Sequence, residues 1–253
     1  MRERTATART MVPARPGRIN GLGRRRWTFG KALSFLAILL PWAAVAPGAA
    51  QLAGSPGALA VAAEVEAHYA ALPALRARFE QRFVHRLQQH EDRWRGRLAI
   101  RRPSFFRIDY TTPRGRVVVS DGTTISAFDP EPAPGRLWQE AASTDSLSNA
   151  LALLAGTAHL EAEFELRELD ASGMGFRGAV LELRPRAPTP LYERVLFYVD
   201  RGEARRGRIH RLLWVDAAGN TNRFDLLDPD ERTPVAATFF VFEPPPGAAR
   251  IEP

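Results

Sequence analysis

The chain has 253 residues, with 35 basic and 28 acidic side chains, a net charge of +7 and no cysteine. The missing cysteines exclude a disulfide framework, a thiolate metal site and a cysteine nucleophile. The basic balance would favour a nucleic-acid partner, but its placement argues against one: residues 1–31 hold nine basic residues and a single acid, Glu3, whereas past residue 50 there are 26 arginines, no lysines and 27 acids, a net of about −1.

The basic start is followed by ALSFLAILLPWAAVAPGAA from Ala32 to Ala50. A basic region, an apolar run and a small-residue end together predict a secretory signal peptide over residues 1–50, cleaved at roughly 46–53. The run is shorter than the roughly 20 residues that span a bilayer, and Pro41 and Pro47-Gly48 break it, which disfavours an uncleaved signal anchor. No cysteine stands at its end for lipid attachment, so a soluble exported protein is expected. Residues 51–57 read as a short linker and 58–253 as one domain; about 200 residues bury enough surface to fold without disulfides.

Ala58 to Gln89 is predicted helical, with Leu72, Leu75, Phe79, Phe83 and Leu87 recurring at the helical period. Pro73 kinks this segment or divides it in two. From Trp94 to Pro130, four short apolar segments separated by turn residues predict an antiparallel meander: Trp94–Ile100, Phe105–Tyr110, Arg116–Ser120 and Thr123–Phe128. Asp121-Gly122 is a hairpin turn that requires positive φ. Leu137-Trp138 is a candidate short strand, and Asp145 to Gly156 a second helix with its own cap and stop. Further strands are expected at Glu163–Leu169, Phe176–Arg184, Arg194–Val199, Arg208–Val215, Asn220–Leu226 and Ala237–Phe242, with a hairpin turn at Ala218-Gly219. Val195–Val199 and Phe239–Phe242 are apolar at every position, which fits central strands covered on both faces or the wall of a hollow apolar interior.

No catalytic constellation stands out. Of the five histidines, His85 and His90 are five apart, the wrong spacing for a shared helical face, and a metal site would need a fold-back that nothing predicts. The serines lack a nucleophile-elbow setting, no Gly-rich phosphate loop is present, and neither a metal nor a cofactor is expected. The run Arg95, Arg97, Arg101, Arg102, Phe105, Phe106, Arg107 could suggest a stacking platform for single-stranded nucleic acid; export and a nearly neutral domain weigh against it. Arg102 has two readings: a surface arginine capping a turn, or a fork bonding the carbonyls at a helix C-terminus to close a lid over an apolar interior.

The segment from Gly96 through Arg102-Pro103, Phe105-Phe106, Tyr110 and Pro113 to Val119-Ser120-Asp121-Gly122 resembles the core of the LolA family, the periplasmic outer-membrane lipoprotein carriers. Ile209, Asp216, Gly219-Asn220, Phe224, Phe239, Phe242, Pro244-Pro245 and Gly247 extend the resemblance, which covers nearly all of residues 60–252. It implies a mainly β fold with helices: an open, incomplete antiparallel β-barrel of about 11 strands with a helical lid over an apolar cavity. It also implies a non-enzymatic, monomeric periplasmic chaperone for outer-membrane lipoprotein sorting. Such a carrier takes acylated lipoproteins from an inner-membrane ABC transporter and delivers them to an outer-membrane receptor. On this resemblance Arg102 is the lid latch that matters for transfer, and the cavity candidates are Leu75, Phe79, Phe83, Leu98, Ile100, Phe106, Ile108, Val118, Phe197 and Phe240. The competing class is an exported lipid-binding or envelope-sensing module that does not shuttle proteins.

Overall fold

The computed structural model describes residues 55–142 and 159–251. The predicted leader and the predicted helix at 145–156 lie outside them. Helix α1 spans Pro56–Ala71. Ser55 caps it, its hydroxyl accepting from the Ala58 N–H at 3.3 Å, and Pro56 stands in the first turn, where no backbone donor is needed. The helix ends at Ala71, with Leu72 already extended and Pro73 unable to continue it.

Among the described residues twelve strands follow: β1 Ala74–His85, β2 His90–Arg101, β3 Phe105–Thr112, β4 Arg114–Asp121, β5 Thr124–Asp129, β6 Arg136–Ala141, β7 Phe164–Leu169, β8 Ala179–Pro185, β9 Arg194–Val199, β10 Ile209–Val215, β11 Thr221–Asp230 and β12 Ala249–Ile251. A one-turn helix α2, Leu160–Glu163, precedes β7. All twelve strands form one sheet in the order β12-β6-β5-β4-β3-β2-β1-β11-β10-β9-β8-β7. Every pairing is antiparallel except β12 on β6, which is parallel. The sheet ends in β12 and β7 without closing, so the fold is an open, mainly β barrel with helices laid against it. No helix among the described residues is long and apolar enough to cross a membrane.

Two sequence expectations are corrected. The stretch after Pro73 is a strand, not the second half of a helix: β1 pairs along its whole length with β2, Ala74 opposite Arg101 and His85 opposite His90. Leu75, Ala77 and Phe79 are buried while Arg78 and Glu80 are exposed, the alternation of a half-buried strand. Ala237–Phe242 is likewise not a strand; Ala237–Phe240 forms a 3-10 turn lying across the sheet. Pro234 and Pro244-Pro245-Pro246 flank it, and prolines donate no ladder hydrogen bond. The expected hairpin turns are present, with φ of +91° at Gly122 and +77° at Gly219.

Alternation sorts the apolar side chains onto two faces. One face carries a continuous cluster that includes Leu75 and Phe79 of β1, Leu98 and Ile100 of β2, and Phe106 of β3, and it is covered by α1. The opposite, outer face carries Ala74, Ala99, Val117 and Val119, covered by the 3-10 turn through Val235 and Phe240. Farther along the sheet, Val180, Leu196 and Tyr198 form a third cluster with Phe176. Glu182, buried on β8, is held by Arg167, Arg184 and Arg194.

Gly96 of β2 is fixed by close approach: a Cβ there would collide with the Asp109 carbonyl on β3 and the Phe79 ring. The carbonyl belongs to the sheet ladder and cannot give way. Gly96→Ala is therefore expected to destabilise the domain by about 1–3 kcal/mol, read as a lower midpoint in equilibrium urea unfolding; an unchanged midpoint would contradict the packing described.

Candidate functional site

The site is built by α1 and the inner face of the sheet. Ala58, Val61, Ala62, Val65 and Tyr69 are buried along the helix, recurring at steps of three and four, so they form one stripe. That stripe lies on the apolar cluster of the strands. Leu75, Phe79, Leu98, Ile100, Phe106, Ile108 and Phe197 are brought together there, and Val118 packs against them, partly buried. Two of the expected residues are placed elsewhere. Phe83 is half-buried near the β1–β2 turn, its ring 4.5 Å from that of His85. Phe240 is fully buried on the outer face, its ring 5.5 Å from Phe105. Its segment crosses the sheet as a turn, so strand alternation never carries it inward.

Arg102 follows β2 and is exposed. Its Nη1 donates to the carbonyl of Ala70, in the last turn of α1. The last carbonyls of a helix lack intrahelical donors and carry the negative end of the helix dipole, so a guanidinium is a favourable partner there.

Further contacts hold α1 that composition and spacing did not single out. Glu64 pairs with Arg201 at 3.3 Å and Arg206 at 3.1 Å. His68 Nε2 lies 3.1 Å from Glu231, which also accepts from Arg208 at 2.7 Å. The Tyr69 hydroxyl oxygen accepts from the Ile209 N–H at 3.1 Å, and Glu66 accepts from the Leu160 N–H at 2.6 Å. Glu64 and His68 are one helical turn apart, and the basic turn Arg205-Arg206-Gly207-Arg208 stands out in the sequence; pairing the two was the available signal. Partly exposed ion pairs contribute about 0–1 kcal/mol each. Burial of the α1 stripe contributes several kcal/mol at roughly 25 cal/mol per Å². Apolar contact therefore holds the helix, and the polar contacts fix where it sits.

His85 and His90 do come together, because the β1–β2 hairpin supplies the fold-back that the sequence does not announce. Their rings stack at 5.8 Å, and both Nε2 atoms approach Asp92, at 3.2 and 2.9 Å. Among the described residues no group of His, Asp and Glu could hold a metal ion.

On the same face Tyr110 packs edge-on to Phe79 with ring centres 5.4 Å apart, and its hydroxyl donates to Gln81 at 3.0 Å. Burial pushes that hydroxyl up to about 12, against about 10 in an unfolded chain. Between those values the unfolded chain releases the proton and the folded chain keeps it, so stability falls as pH rises through the window. Denaturant midpoints measured from pH 9 to 12 should decline, and decline less steeply in Tyr110→Phe; equal slopes would contradict the burial of this hydroxyl.

The family model for the outer membrane lipoprotein carrier protein LolA matches residues 70–243. The outer-membrane lipoprotein carrier protein of Chromobacterium violaceum is 27% identical over 209 residues, which cover 83% of this chain and 94% of that protein. Among solved structures, a LolA superfamily protein from Nitrosomonas europaea aligns at 14% identity and a TM-score of 0.41, over 73% of this chain and 97% of the other. An uncharacterized conserved protein from Thermus thermophilus aligns at 13% identity and a TM-score of 0.47, over 78% and 99%. With the family model matching more than half of its length, the chain belongs to the LolA family of outer membrane lipoprotein carrier proteins.

Proposed function

We propose that this protein is a periplasmic carrier that binds the acyl chains of lipoproteins released from the inner membrane and delivers them to an outer-membrane receptor. Residues 1–50 serve as its export signal. An inner-membrane ABC transporter loads it, and the carrier, acting as a monomer, performs no chemical step on its cargo. The observation that carries this reading is the continuous apolar inner face covered, among the described residues, chiefly by α1, on a chain of the carrier family.

Each methylene of an acyl chain brings about 0.8 kcal/mol on leaving water, so a lipoprotein does not leave a membrane unless a comparable apolar surface receives it. Displacing α1 offers the inner face to the chains. The apolar contact that α1 loses offsets part of what the cargo gains, so helix and acyl chains compete for one face. Arg102 acts on this balance. Its bond to the Ala70 carbonyl exists only while α1 is docked, so it stabilises the empty form and lowers affinity for cargo by its own free energy. Loss of the bond leaves acceptance intact and retards release.

Arg102→Leu is accordingly expected to stay folded, melting only about 2–4 °C below the wild type, and to accept lipoprotein from inner-membrane vesicles, while transfer to the receptor falls about five- to tenfold, the equivalent of ~1 kcal/mol. Transfer at the wild-type rate would remove the latch role.

A further inference from the structure

The outer face of the sheet sets arginines directly against one another. Across three neighbouring strands, Arg223 of β11 faces Arg82 of β1, and Arg82 faces Arg93 of β2. On the same face, Arg78 of β1 faces Arg97 of β2. Side chains in register on neighbouring strands stand about 5 Å apart, and like charges so placed oppose folding. Arg78 pairs with Asp228, which is as exposed as it is, whereas the carboxylates that relieve the other contacts are shared and lie deeper than the guanidiniums. Glu91 serves both Arg82 and Arg93, and Arg93 is 78% exposed where Glu91 is 24%. Asp225 serves both Arg223 and Arg211, at 2.6 and 2.5 Å. Arg97 is exposed and makes no ion pair among the described residues. The chain past residue 50 is close to neutral, so this face is a local concentration of positive charge.

Beside the arginines two apolar side chains stand out into solvent. Phe239 is 41% exposed and Val241 58%. The guanidinium carbons of Arg76 and Arg107 lie 5.6 and 5.3 Å from the Phe239 ring centre. Nη1 of Arg107 donates to the carbonyls of Phe239 and Val241, at 3.1 and 3.4 Å, which holds the pair in place.

We propose that this outer face is a docking surface for a bilayer rich in anionic phospholipid. Guanidiniums in excess of carboxylates would meet headgroup phosphates, and Phe239 and Val241 would enter the boundary between headgroups and acyl chains. The two apolar side chains stand exposed on the sheet face opposite α1, with guanidiniums around them. That arrangement suits a yielding surface better than the complementary wall of a protein partner. The surface lies opposite the α1-covered face, so this proposal and the carrier reading can fail separately.

The test is co-sedimentation of the protein, expressed as the whole chain and recovered from the extracytoplasmic fraction, with vesicles of 3:1 phosphatidylcholine and phosphatidylglycerol, and with phosphatidylcholine alone. Binding is expected on the anionic vesicles only and is lost in about 0.5 M salt, where the screening length falls to a few Å. Arg82→Gln combined with Arg97→Gln should weaken it roughly thirtyfold, two arginines' share at a charged leaflet, while lipoprotein acceptance stays unchanged. Both proteins carry the same termini, so the difference belongs to this face. If that variant does not fold, Arg93→Gln with Arg97→Gln is measured in its place and should show a loss of the same order. Equal binding by wild type and variant, equal binding to the two vesicle types, or capture of polyglutamate without vesicle binding would overturn the proposal, the last by pointing to an acidic protein.

Discussion

Everything at the inner face depends on the burial of one helical stripe. Five side chains of α1, from Ala58 to Tyr69, cover apolar strand residues that would otherwise face water across the width of an open sheet. An unclosed barrel has a core only where something fills it, so the helix is at once part of the core and the element whose departure would make room for a ligand. Packed interiors do not tolerate a partial vacancy. The proposed exchange is therefore between two filled arrangements, one with helix and one with acyl chain.

The polar contacts around α1 act on that exchange in proportion to their size. The bond from Arg102 to Ala70, the pairing of Glu64 with Arg201 and Arg206, and the link from His68 through Glu231 to Arg208 are each small beside the apolar burial. All of them form only when the helix is docked. Small increments decide an equilibrium whose large opposing contributions nearly cancel. Arg102 has a distinct position among them, because it reaches the helix C-terminus from the β2–β3 turn, whereas the other arginines approach from the β9–β10 side.

Much of the sheet was legible because turn residues punctuate it: Asp121-Gly122 and Ala218-Gly219 mark two hairpins, and most strands lie within a few residues of their expected bounds. The misassigned stretch after Pro73 has a specific cause. Leu75, Phe79 and Phe83 are four apart, a spacing that suits one helical turn and also two strand repeats. The deciding evidence was Ala77, buried between Leu75 and Phe79, with arginines at 76 and 78 turned the other way. Phe240 misled for a different reason. Its composition is that of a central strand, but its flanking prolines leave it no ladder to join, and it covers the outer face instead. Most of the apolar lining was readable by alternation once the strands were placed. The contacts of α1 were not, since Glu64 meets Arg206 and His68 meets Glu231 across more than 130 positions of sequence and nothing local encodes the meeting.

The central claim is that the inner face exchanges α1 for the acyl chains of a lipoprotein. Mass spectrometry of whatever accompanies the protein when it is purified natively, without detergent, tests it most directly. Polypeptide bearing covalently attached acyl chains is expected, in amounts that rise when the Arg102 contact is removed. Recovery of free glycerophospholipid alone, or of no acyl species from either protein, would contradict it.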